Sequence, residues 1–173
     1  MAMEYKAIEQ KKRTLEAFAY IAARIGSKNN MYNVLKVFYL ADKIHMERFG
    51  RFIFDDQYAA LEKGPAPSKA YNMICDIKAG RRVVDGVESP VKVDDYFKVT
   101  AVRDFDDDLF SDSDLECIDE VIDISKNTDL GALSHDSAWD FSRARGIHFM
   151  PNDFIIDILE NAKSLKELVK TRY

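Results

Sequence analysis

Asp42 is the polar residue best placed to do chemistry in this chain. It ends the run Val34-Leu35-Lys36-Val37-Phe38-Tyr39-Leu40-Ala41-Asp42, and a helical wheel sets it among Leu35, Phe38, His45 and Met46. A carboxylate on such a face must be hydrogen-bonded or paired, or it takes up a proton. Tyr58, His135, Trp139 or a nearby lysine or arginine are its candidate partners. A perturbed carboxylate in a cleft can serve as a general base, and with His135 it would centre a hydrolase. Structural ties perturb carboxylates in the same way, and the residues favour that reading for Asp42.

The other chemical strings fall short of their chemistry. Ser134-His135-Asp136 has the members of a triad, but three adjacent residues cannot align nucleophile, base and orienter. No Gly-x-Ser-x-Gly elbow is present. Asp104, Asp106 and Asp108 alternate as in a calcium loop, yet Leu109 stands at the glycine position and Leu115 at the bidentate glutamate. A solvated acidic loop leading into a helix cap accounts for them. His45, His135 and His148 lack paired zinc spacing. The seven glycines form neither a dinucleotide fingerprint nor a P-loop. The expectation is therefore no catalytic residue, no metal and no cofactor. Cys75 and Cys117 have no motif spacing and read as two buried free thiols of a reducing compartment.

The elements that must position these residues follow from periodicity. The chain has 173 residues, of which 47% are hydrophobic and 32% charged, as in an ordinary globular domain. Ile8, Leu15, Phe18, Ala22 and Ile25 recur at helical spacing, with Gly26 as a stop. Ser27 or Asn29 would cap the next helix, Asn30 to Phe49. That helix has only a narrow polar stripe of Asn29, Asn33, Lys36, Lys43 and Glu47, so it should be the centre of the domain. Phe52–Phe54 and Tyr58–Leu61 read as short strands or extended segments, followed by a Gly64-Pro65-Ala66-Pro67 loop. Pro67 would open a helix to Ala79 with Tyr71, Ile74 and Ile77 facing the core.

Asp85-Gly86 suggests a type I′ hairpin, and the alternation from Tyr96 to Val102 suggests a half-buried strand. Ser111 or Ser113 should cap a helix from Asp114 to Lys126. A helix over 134–143 and two C-terminal helices, 153–160 and 164–170, complete the chain. The expected fold is α+β and mostly α: a central buried helix surrounded by helices, with a small antiparallel sheet. One domain over 1–146, with a helical C-terminal extension over 147–173 packed on it, is the expected organisation.

Lys and Arg number 25 against 30 Asp and Glu, a net charge of −5. A duplex DNA binder normally needs a basic face, so no direct nucleic-acid binding is expected. No apolar run reaches the roughly 20 residues needed to span a bilayer, and no signal peptide is visible. A cytoplasmic protein without membrane contact is expected. Among the aromatics, Phe105, Phe110, Tyr96 and Phe149 fall in or near loops. With Asp106, Asp107 and Asp108, the residues Phe105 and Phe110 are the candidate partner contacts.

Three pieces in order carry a family resemblance. They are Leu35, Lys36, Tyr39, Leu40, Ala41 and Asp42; then Tyr58 with Gly64-Pro65-x-Pro67; then Leu133, Ser134, His135 and Trp139. Together they resemble the Panacea domain, the SocA-like domain of bacterial antitoxins and phage-associated proteins. The family pattern has Tyr where this chain has Lys63 and Val where it has Ala66; both lie outside the anchor residues. The resemblance implies an antitoxin that neutralises a cognate protein toxin by direct binding. It also implies two alternatives: a proteolytic adaptor delivering the toxin to a ClpXP-type protease, and a phage- or mobile-element-associated role. The motif residues Leu35, Lys36, Tyr39, Asp42, Tyr58, Gly64, Pro65, Pro67, His135 and Trp139 look like fold determinants rather than contacts. The oligomeric state is left open.

Overall fold

The computed structural model describes residues 1–54 and 56–172. They form an α+β fold that is mostly α. At its centre is α2, Met31–Phe49, in which every side chain from Val34 to Asp42 is buried. Asn30 caps it by accepting from the Asn33 amide, in place of the expected Ser27 or Asn29. Those two residues lie in or beside a 3₁₀ turn. At the other end Gly50 closes the helix in the left-handed conformation, φ 72°, which a residue lacking Cβ enters freely.

Helix α1, Ala2–Arg24, is longer than its apolar repeat. Its first turns are exposed, and burial begins at Thr14. Helix α4, Asp112–Ser125, packs along α2. Its start is a reciprocal capping box between Ser111 and Asp114, the pattern that satisfies two orphan amides at once. Of the two serines expected as its cap, Ser111 is the one used.

The small sheet is two separate antiparallel hairpins. The first joins β1, Tyr58–Leu61, to β2, Gly64–Pro67. The Gly64–Pro67 segment is thus a strand, not the expected loop. Two prolines are tolerated there because of register. Tyr58 pairs with Pro67 and Ala60 with Pro65. At these two positions the backbone of β1 bonds the other way, Ala60 N to His148 O and Met150 N to Tyr58 O. The missing proline N–H groups are therefore not needed by the ladder, as an edge strand requires. The second hairpin pairs β3, Val91–Val93, with β4, Val99–Ala101. It is anchored to the start of α2 by Met31 N to Phe97 O and Val99 N to Asn29 O.

Other local expectations are corrected. Phe52–Phe54 is not a strand. In α3, Ser68–Lys78, the core face is Ala70, Met73 and Ile74, while Tyr71 is exposed. Asp85-Gly86 makes a turn closed by Val87 N to Val84 O but no ladder. Only Gly86 takes positive φ there, so it is not type I′. The expected 134–143 helix is two: α5, Leu130–Ser134, and α6, Ser137–Ala144. The chain breaks at His135, and Asp136 caps the second through the Trp139 amide. Cys117 is buried, but Cys75 is only half-buried. The C-terminal elements are α7, Asn152–Asp157, and α8, Ala162–Arg172. Among the described residues no helix is long and apolar enough to cross a membrane.

Candidate functional site

The Asp42 carboxylate is fully buried and all its bonds go to the scaffold. Oδ1 accepts from the amides of Ile53 (2.7 Å) and Phe54 (3.1 Å), and Oδ2 accepts from the Tyr58 hydroxyl (2.6 Å). The chain turning back after α2 is thereby tied to the helix, and β1 is tied to both. Burial pushes the carboxyl up to about 7, against the pull of the three donors. The Tyr58 hydroxyl is driven well above its usual range, first by burial and then by the Asp42 charge. Of the four kinds of partner foreseen, Tyr58 is the one used. His135 and Trp139 bond elsewhere.

One turn back along α2, Tyr39 donates to Asp136 Oδ2 (2.6 Å), and Lys43 pairs with the same oxygen (2.8 Å). Asp136 Oδ1 meanwhile accepts from the Trp139 amide. One carboxylate thus caps α6 and pins it to α2. The Trp139 indole N–H donates to Leu61 O (2.8 Å), fixing α6 to the first hairpin. His135 bonds Gly131 O through Nδ1 (2.6 Å) and meets Trp139 edge-on, ring centres 4.4 Å apart. The two rings meet across the break between α5 and α6 rather than along one helix face.

Lys36 was placed in the polar stripe, but it is only 3% exposed. Its ammonium donates to Pro65 O (2.8 Å) and lies 5.0 Å from the Tyr32 ring centre. Gly64 packs directly on it. A Cβ at Gly64 would stand 2.6 Å from Lys36 Nζ and 3.0 Å from Ser134 Oγ, at a φ of 107°. Gly64, Pro65 and Pro67 therefore act as one close-fitting strand over Lys36 and Ser134. Leu35 lies in the core beneath it.

The acidic loop behaves differently. Asp106, Asp107 and Asp108 are exposed and offer one oxygen each within 4.8 Å of one another. Asp106 also takes the Asp108 amide, the bond of a local turn. Phe105 and Phe110 are half-buried. Phe105 packs edge-on against Tyr20, ring centres 4.6 Å apart, and Phe110 lies under Arg13. Both are part of the wall of the core. Tyr96 and Phe149 are exposed.

A further polar hub escaped the sequence reading. Buried Asp114 meets Arg13 (3.2 Å), Arg51 (2.8 Å) and His45 (3.3 Å), joining α1, the end of α2 and α4. His45 also bonds Arg51 O and Ser113 Oγ, and burial lowers its pKa. The serine cap was legible; the reach of Asp114 to Arg13, Arg51 and His45 was not.

These arrangements hold elements together. Asp42 spends its lone pairs on two amides and a tyrosine, and His135 spends Nδ1 on its own helix. Among the described residues Asp42 and His135 share no hydrogen-bond partner. No curated protein and no solved structure matches the chain significantly. The family model for the SocA-like antitoxin, Panacea domain, matches residues 34–140, the stretch that opens in α2 and closes in α6. That stretch contains all ten motif residues from Leu35 to Trp139, and the chain belongs to the Panacea-domain family of SocA-like antitoxins.

Proposed function

We propose that this protein is the antitoxin of a bacterial or phage toxin–antitoxin pair and neutralises a cognate protein toxin by binding it directly in the cytoplasm. Membership of the antitoxin family carries the reading. The geometry supports a binding role rather than a catalytic one, since the buried motif groups are engaged in holding α2, the first hairpin and α6 together. In this reading residues 1–146 are the family unit and 147–173 an extension of it. The exposed Asp106–Asp108 loop favours a basic toxin, because complementary charge steers encounter.

Co-expression with each small neighbouring reading frame, scored by growth rescue and co-elution, tests the proposal. Rescue with co-elution is the expected result. Rescue with no complex, and toxin that disappears faster in the presence of a ClpXP-type protease, would replace sequestration by proteolytic delivery. If no neighbour is toxic, the antitoxin reading falls. Asp107→Lys with Asp108→Lys should slow association with the toxin roughly tenfold at low ionic strength and much less at high salt. Equal rates at both would remove this loop from the encounter.

A further inference from the structure

Helix α1 begins well before the body of the protein does. Residues 1–8 are all exposed, and continuous burial starts only at Thr14. Met1, Tyr5, Ile8, Lys12 and Leu15 follow one another at spacings of four, three, four and three. That is the repeat by which one helix packs along another. Within the chain the seam is covered only at its end. Leu15 sits in the core, while Tyr5 is 68% and Ile8 38% exposed. Short helices in water depend on packing of their apolar face, and among the described residues the first turns of α1 are left uncovered.

The charges beside the seam select what covers it. Glu4 and Lys11 border it on one edge, seven residues apart, and Glu9 borders the other. None of Glu4, Glu9, Lys11 and Lys12 joins an ion pair among the described residues. An acidic partner helix would satisfy the lysines and repel Glu4, and a basic one would do the reverse. A second copy of the same segment, run antiparallel, satisfies both. A parallel copy would instead set Glu4 near Glu9, a like-charge contact.

We propose that the first half of α1 is a homodimer interface, packing antiparallel on α1 of a second copy about a two-fold axis beside Ile8. The axis sets Ile8 against Ile8 and brings each Glu4 level with Lys11 and Lys12 of the other copy, so every favourable contact occurs twice. It also brings Met1 of one copy level with Leu15 of the other. Leu15 stands at an open groove of about 470 Å³ whose apolar walls include Ile77, Val83, Val87 and Val91. A flexible thioether side chain suits so irregular a space. The paired segment is about 14 residues, roughly 21 Å of helix, so the dimer is weak, with a dissociation constant on the order of 10–100 μM. The dimer does not depend on the antitoxin reading.

Sedimentation equilibrium of the full chain at low ionic strength tests it, with protein from roughly tenfold below to tenfold above that constant. The mass should rise from the 19.9 kDa of one chain toward twice that value. Ile8→Glu changes an exposed position, so it should leave the urea melt of dilute protein unchanged and keep the chain monomeric throughout. Glu4→Lys and Lys11→Glu should each weaken the dimer about tenfold, because two symmetric contacts turn from attractive to repulsive. The two changes combined should restore it, which no other arrangement of the helices predicts. A chain that is monomeric at every concentration would overturn the proposal. So would a dimer that Ile8→Glu leaves intact, or a double charge variant no tighter than the single ones. A monomeric chain whose co-elution with a toxin is abolished by Ile8→Glu would assign the seam to that toxin and remove the dimer.

Discussion

At the scale of single residues, Asp42 shows what was legible and what was not. Its place on the apolar face of a helix marked it as a buried carboxylate needing partners, and that needed only helical periodicity. Which partners it takes depends on where the chain returns after Gly50, and no local pattern fixes a return path. The Ile53 and Phe54 amides were invisible for that reason. The pairing has a pH consequence. Its carboxyl stands at about 7 in the fold, against 3.8 in the ordinary state. A raised acid contributes stability that is fully present below pH 4 and is lost as pH rises through 7. The difference is on the order of 4 kcal/mol at full extent. Asp42→Asn can keep the two amide bonds through its oxygen and turn its N–H toward Tyr58. The difference in unfolding free energy between this variant and the unmodified protein should therefore grow in favour of the variant from pH 4 to 7. Urea melts at several pH values measure it, and parallel pH profiles would show that Asp42 does not titrate there. Tyr58→Phe instead strips a donor from buried Oδ2 and should cost about 1–3 kcal/mol, read from the same melts.

At the scale of elements, the first hairpin was misread because a Gly-Pro-x-Pro string looks like a loop by composition. Proline is excluded from ladder positions that donate, and the string alone does not say which positions donate. The register does: Pro65 and Pro67 stand opposite Ala60 and Tyr58, whose backbone groups bond the 148–150 segment instead of β2. The cap of α3 is a parallel case. Pro67 precedes the helix without a side-chain cap, and Asp56 supplies one from before β1 by accepting from Lys69 N (2.9 Å) and Ala70 N (3.0 Å). By contrast, the Ser111 cap was readable because donor and acceptor lie three residues apart. The hairpin's closeness to α2 predicts a sharp penalty at Gly64. A methyl there meets Lys36 Nζ at 2.6 Å and must hold φ at 107°, so Gly64→Ala should cost at least about 2 kcal/mol. Adding Lys36→Ala should recover only the steric part. Full recovery in the double variant would mean the backbone conformation carries no cost, and thermal melts of the three variants decide it.

At the scale of the whole molecule, the family match ends at residue 140, yet the C-terminal segment continues to complete α2. Asn161 donates to Glu47 O and Arg172 to Gly50 O (2.8 Å), carbonyls that the end of a helix otherwise leaves open. Met46, Ile156, Leu159 and Leu165 form a separate apolar cluster over the same end. Periodicity announced these C-terminal helices, but not their seat, because a short amphipathic helix reveals its apolar face and not what covers it. The central helix also bears the Asp42, Tyr39 and Lys36 ties, so support at its C-terminus should be felt across the fold. Leu165 is 4% exposed, and Leu165→Ala should lower stability by about 2–4 kcal/mol through lost burial and the cavity left behind. If the segment is an integral support, hydrogen exchange at the Ile53 and Phe54 amides should accelerate in this variant along with global unfolding. Should those amides keep their protection while only α8 opens, α8 is a separate unit resting on the domain. Deletion of 161–173 would then leave the Asp42 tie intact.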